Sequence, residues 1–230
     1  MNSKRIRLWD LPTRLFHWLL VVAVAAAIVC GKLGGGLIVW HGRIGLFIAG
    51  LIVFRLAWGV FGSTYARFAQ FFPTPARLFG YLRGGRHEPG HNPLGALSVF
   101  ALLGVVGFMA VSGLFANDDI AFRGPLFELA GKSLSNRLSG LHHLAGNLLI
   151  ALIGLHLAAI SFYAFVKKND MVGPMISGWK EVSAGEDARG GGPLALIAAL
   201  LLAGAAIYGA SGAWLPKPPP PPPAAETPDW

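Results

Sequence analysis

Five apolar stretches, each long enough to cross a bilayer, take up most of this chain: residues 11–31, 40–61, 93–115, 141–166 and 193–215. In hydrocarbon no water can bond the backbone, so a segment of about 20 residues crosses as a helix that pairs its own N–H and C=O groups. The chain is therefore predicted to be an all-α integral membrane protein with five transmembrane helices. Only 13% of its residues are charged, against about a quarter in soluble domains. Its mean hydropathy of +0.56 agrees. The net charge of +8 does not point to nucleic acid, because the basic residues sit in short segments beside the spans. Lys4, Arg5 and Arg7 precede the first apolar core as in a signal peptide, but no small-x-small cleavage pattern follows. A retained helix is expected there, with Pro12 suited to its first turn.

Positive charge gives the expected sidedness. Lys4, Arg5, Arg7 and Arg14 attend the start of the first span, Arg67, Arg77, Arg83 and Arg86 lie between the second and third, and Lys167, Lys168, Lys180 and Arg189 follow the fourth. The opposite loops hold Lys32 alone, or Arg123, Lys132 and Arg137 offset by Asp118, Asp119 and Glu128. The N-terminus is thus expected in the cytoplasm and the C-terminus outside. Residues 168–192 read as a cytoplasmic linker. The tail 216–230 contains the run Pro218–Pro223, either unstructured or a stiff polyproline spacer rising about 3.1 Å per residue.

Histidines inside the spans carry the chemistry. His142 and His156 are fourteen residues apart in the fourth span. At about 100° and 1.5 Å per residue both rings leave one helix face, separated by about 21 Å along the axis. His17 lies early in the first span and His41 opens the second. Depth then pairs His41 with His142 near the outer surface and His17 with His156 near the cytoplasm. Ionisable groups in a bilayer are costly and usually functional. Imidazoles from two helices meeting at one level are what a bis-histidine haem inside a bundle requires, so the four read as axial ligands of two haems. Cys30 is the only cysteine, so Cys-x-x-Cys-His is absent and c-type attachment is excluded. Any one of these histidines alone reads equally well as an interfacial or hydrogen-bonded residue; agreement in depth and face selects the set.

His143 leaves the helix about 140° away from His156. It is expected to reach a haem edge, a propionate or a lipid headgroup rather than the metal. His87 sits in a basic, glycine-rich loop. His91, before Asn92-Pro93, either positions the start of the third helix or lines a quinone site. A proton or metal transporter would also use intramembrane histidines, but usually needs Asp, Glu or Cys along its path, and the span cores lack acids.

Arg55 follows His41 by fourteen residues, so it shares that helix side about 21 Å closer to the cytoplasm. The neighbouring spans supply no carboxylate, and a propionate of the cytoplasmic-side haem would satisfy it. Arg14 could act likewise, and Arg43 could serve the outer haem; snorkelling to the interface is the alternative for Arg14 and Arg55. Gly42, Gly45, Gly50, Gly140, Gly146 and Gly154 permit close helix approach or clear room for a macrocycle.

Together these pieces resemble a family. Arg14-Leu15-Phe16-His17-Trp18, His41-Gly42-Arg43-Ile44-Gly45 with Arg55 and Trp58, Gly90-His91-Asn92-Pro93-Leu94-Gly95, and His142 with His156 are similar to the bacterial cytochrome b561 family, which includes the b-type subunits of nickel–iron hydrogenases. The resemblance covers residues 5–167. It implies a di-haem four-helix domain in the inner membrane, two b-type haems held by His17, His41, His142 and His156, and electron exchange between the quinone pool and a periplasmic cytochrome or hydrogenase-like subunit. Expected partners are lipid, quinone, that redox protein and a second copy of the chain. Many members have Glu where this chain has His143, and the fifth span and proline tail depart from the four-helix pattern. A non-redox membrane anchor remains the other alternative.

Overall fold

The computed structural model describes residues 3–85, 89–120 and 122–216; His87, Arg86 and the run Pro218–Pro223 lie outside them. In chain order the elements are β1 (Lys4–Arg7), α1 (Leu11–Leu33), α2 (Ile38–Phe61), α3 (Phe68–Phe71), α4 (Pro75–Leu82), α5 (Pro93–Phe115), α6 (Phe127–Phe165), α7 (Val172–Ser177), β2 (Trp179–Val182) and α8 (Pro193–Ala210). Five of them, α1, α2, α5, α6 and α8, are long and apolar enough to span a membrane. The all-α membrane bundle with a fifth helix is the observed fold.

Local chemistry sets the helix starts. Asp10 caps α1, its Oδ1 accepting from Thr13 N at 2.7 Å, and Asn92 caps α5 through Gly95 N at 2.7 Å. Pro12, Pro93 and Pro193 occupy first turns, where the missing N–H costs nothing. Two spans differ from their expected limits by more than a few residues. The fourth begins at Phe127 rather than residue 141, because a helix continues beyond the apolar window on polar residues; Gly131, at φ +68°, breaks its first turn from the rest. The fifth ends at Ala210, and Gly212 at φ +67° turns the chain so close to Pro125 O that a Cβ would stand 2.5 Å from it.

Helix pairing leaves a slot. α6 packs along α5, α2 packs against α1, α5 and α8, and α6 has no comparable backbone approach to α1 or α2. A single apolar layer spans the gap at mid-height: Ala23 and Val24 of α1, Ile48 and Ile52 of α2, Val106 of α5 and Leu149 of α6. Leu149 lies seven residues from both His142 and His156, so this layer separates the two histidine levels.

The end of the bundle where α1 starts carries a folded cap. β1 pairs antiparallel with β2, Lys4 opposite Val182 and Arg7 opposite Trp179. Ile6, Leu8, Trp9 and Tyr65 are buried together beneath Met175, Val182 and Ala188. Leu8 N and Trp9 N both donate to Gly178 O, and Tyr65 OH donates to Glu186 O at 2.7 Å. Residues 168–192, expected as a linker, thus form α7, β2 and part of this cap. α4 lies beside it, with the Tyr81 and Tyr163 hydroxyls hydrogen-bonded at 2.6 Å.

α8 seats on α2 through small residues. A Cβ at Gly50 would stand 2.5 Å from Ile207 Cδ1 and 3.5 Å from Ala203 O. Gly50→Leu should therefore lower stability by about 1–3 kcal/mol, read as the midpoint of detergent-induced unfolding. Ile207→Ala in the same chain should recover part of the loss; no recovery would mean the two residues do not share the contact.

Candidate functional site

At the end opposite the cap, His41 of α2 and His142 of α6 face each other across the slot, ring centroids 5.9 Å apart and planes at 80°. Each ring is fixed through one nitrogen. His41 Nδ1 lies 2.8 Å from Ala27 O. A carbonyl only accepts, so the proton is on Nδ1 and the Nε2 lone pair is left free. His142 Nδ1 lies 3.1 Å from Ser112 Oγ, whose own proton goes to Met109 O at 3.2 Å. With that proton given to Met109 O, the hydroxyl oxygen accepts from His142 Nδ1–H, and Nε2 keeps its lone pair. Metal-bound histidines are held in this manner.

Glycines admit both rings. A Cβ at Gly31 would stand 2.9 Å from His41 Nδ1, and one at Gly113 would stand 3.2 Å from His142 Cε1. Around the pair lies a cavity of about 240 Å³, lined by α1, α2, α5, α6 and the loop after α5. Its body is apolar, with Val24, Ile28, Ile48, Val106 and Leu149; Gly42, Gly45 and Gly146 widen it. His143 lines the same cavity from an exposed position, 6.4 Å from His142 between ring centroids.

At the capped end His17 of α1 lies within electrostatic reach of His156 of α6. His17 Nδ1 is buried without a hydrogen-bond partner among the described residues. Arg55 is 3% exposed. Its guanidinium lies 4.5 Å over the Phe68 ring, and its Nη1 has no partner among the described residues. A carboxylate from outside the spans does approach it. Asp10, just ahead of α1, lies within electrostatic reach of Arg55 while its Oδ2 accepts from Trp58 Nε1 at 3.0 Å.

Arg14 donates through Nη1 to Ile176 O, which ties α1 to α7, and its Nε is buried without a partner among the described residues. Arg43 departs from its expected role. It lies on the exposed face of α2, 5.0 Å over the Trp40 ring, and does not line the cavity. Two residues past His41, it points about 200° round the helix. His91 is half-buried, its Nδ1 enclosed without a partner among the described residues and its ring 4.8 Å from Trp9 and 4.4 Å from Phe71.

The family model for prokaryotic cytochrome b561 matches residues 8–178. This chain belongs to that family. No curated protein and no solved structure matches it. Cytochromes b561 are b-type membrane cytochromes of electron transfer, and the match ends at Gly178, leaving β2 and α8 outside it. The His41–His142 site fits a b-type haem. Metal–imidazole bonds of about 2.0–2.1 Å put two rings flanking one ion roughly 6 Å apart between centroids, close to the observed spacing. The orphaned Arg55 Nη1 at the other level suits an anionic group.

Sequence reasoning missed Ala27, Gly31, Ser112 and Gly113. Ser112 had a signal, as a hydroxyl in the apolar α5 that hydrocarbon would not tolerate without a partner. Ser112→Ala should weaken haem binding at the His142 level by about 10–100-fold. Ser112→Thr, which keeps the hydroxyl, should retain it; haem-to-protein ratios after dilution measure both.

Burial, reinforced by Arg55, His17, His156 and Lys180, pushes the His91 imidazole from 6.5 down to about 3. As pH falls below 6.5 the unfolded chain takes up a proton that the folded chain refuses until about 3. The stability present above 6.5 is therefore lost progressively through that window. His91→Phe should flatten the acid limb of the unfolding midpoint plotted against pH. An unchanged limb would assign the acid lability to other groups.

Proposed function

We propose that this cytochrome b561 carries two b-type haems, one between His41 and His142 and one between His17 and His156, and exchanges electrons between membrane quinone and a periplasmic redox partner. The observation that carries the reading is the His41–His142 pair, 5.9 Å apart with both Nδ1 atoms engaged. A bound haem supplies a one-electron ferric–ferrous couple.

The chain's own residues supply the rest. Paired imidazoles, His41 with His142 and His17 with His156, would hold the iron from both sides and leave no site on it for oxygen or substrate, which suits a relay. Ala27 O and the Ser112 hydroxyl hold the rings in orientation and keep the coordinating nitrogens basic. The layer from Ala23 to Leu149 keeps water from the space between the two levels. Arg55 neutralises carboxylate charge at the capped level, where Arg14 and Asp10 complete a polar surround. With the basic loops in the cytoplasm, the cap lies on that side, the His41–His142 level lies near the periplasm, and the inner membrane holds the bundle. Among the described residues no group of three or more His, Cys, Asp or Glu could hold a bare metal ion, which favours haem over a metal-transport path.

Purified protein should contain two b-type haems per chain by pyridine haemochrome assay, with b-type bands in the reduced-minus-oxidised spectrum. His156→Ala and His142→Ala should each leave one haem. A colourless protein, or both haems retained in His156→Ala, would overturn the assignment.

A further inference from the structure

The rim of the His41–His142 cavity is polar, and two of its groups have no task within the fold. Its side chains include Lys32, Asn117, Asp118, Ser139 and His143. Asn117 and Ser139 satisfy each other: Asn117 N donates to Ser139 Oγ and Ser139 Oγ to Asn117 O, both at 2.9 Å, while Asn117 Nδ2 donates to Asn136 Oδ1 at 2.9 Å. Asp118 Oδ1 accepts from Ile120 N at 3.0 Å and Phe122 N at 2.8 Å, closing its own turn. Lys32 and His143 are exposed, and neither makes a hydrogen bond or ion pair among the described residues.

These two groups match the one polar feature of a b-type porphyrin, two carboxylates on a single edge of an otherwise apolar disc. We propose that the Lys32 ammonium and a His143 N–H bind those carboxylates and so fix which edge of the porphyrin faces the rim. The inference rests on the reading that a haem sits between His41 and His142. The apolar cavity body then takes the apolar edges, and the rim at the end of α1 takes the charged one. Lys32 reaches on a flexible four-carbon stem with three donors. His143 follows His142 directly, about 100° round α6, so one helix supplies both a ring to the metal and a donor to the edge. A neutral imidazole still carries one N–H donor, which is all the contact requires. Arg43, the basic residue nearest His41 in sequence, is committed to Trp40.

The test uses the purified full-length holoprotein and compares Lys32→Gln, His143→Gln, the double variant and Lys32→Arg. An exposed charged hydrogen bond is worth up to about 1 kcal/mol, so each single variant should lose one haem to excess apomyoglobin roughly two- to fivefold faster. The other haem should leave at the wild-type rate. The propionate bending bands of the resonance Raman spectrum should shift in the Gln variants and return in Lys32→Arg, which a merely structural effect would not produce. Two haems bound, with wild-type loss rates and unshifted propionate bands in the double variant, would overturn the inference while leaving the two-haem reading intact. Fewer than two haems in the wild type would overturn both.

Discussion

The separation between α6 and the α1–α2 pair governs the rest of this structure. Helices packed at ordinary contact distance would press imidazoles at their interface against backbone. Here α6 leans on α5 instead, and the layer from Ala23 to Leu149 holds the gap at mid-height. The His41–His142 cavity lies on one side of this layer, and His17 and His156 lie on the other. An unsatisfied buried polar group costs about 1–3 kcal/mol, and the capped half holds several: Thr13 Oγ1, Arg14 Nε, His17 Nδ1, Arg55 Nη1, Ser63 Oγ, Arg67 Nε and His91 Nδ1. A site built from such groups gains folding free energy when a cofactor with complementary acceptors binds, so cofactor loading and stability are coupled.

The two ends of the bundle are built differently. At the opposite end one nitrogen of each ring is satisfied inside the protein, by Ala27 O for His41 and by Ser112 for His142, and the cavity opens to an exposed polar rim. At the capped end the strands, α7 and the loop before α5 cover the site. His91 lies between Trp9 and Phe71, and Arg55 lies over Phe68. Lower solvent access strengthens every electrostatic interaction there, so a buried cation such as Arg55 acts more strongly on a nearby charge than an exposed Lys32 does.

Span positions and histidine depth were legible in the sequence because both rest on helical period and rise, which membrane burial enforces. The fourteen-residue spacing of His142 and His156 placed one near each end without knowledge of the packing. What the sequence concealed depends on packing between distant segments. The four-residue strands β1 and β2 lie 175 positions apart at their Lys4–Arg7 and Trp179–Val182 starts, and neither has a periodic pattern long enough to read. Asp10 was passed over because it precedes the apolar core, although capping α1 brings it toward Arg55 and Trp58. Arg43 was linked to the outer haem by proximity in sequence, whereas two residues of helix turn it away. The polar first turns of α6 carry Ser135 and Ser139, which bind Asn117 and fasten the loop over the cavity; hydropathy could only mark them as outside a span.

The fifth helix belongs with this site even though it lies beyond the family match. Ala199 and Ala203 of α8 share one buried cluster with Phe54, Ala57 and Trp58 of α2, and those α2 residues flank Arg55. The turn leading into α8 approaches equally closely: a Cβ at Gly191 would stand 2.9 Å from Trp58 Cη2 and 2.8 Å from Ser63 N. Trp58 in turn donates to Asp10, the carboxylate that reaches Arg55. The rotation of α2, and with it the aim of both His41 and Arg55, is therefore constrained from behind by α8. Small residues make this possible, because in lipid close backbone approach, rather than hydrophobic exclusion, drives helix association. A helix that contributes no ligand thus helps to fix the geometry of the helix that carries both His41 and Arg55.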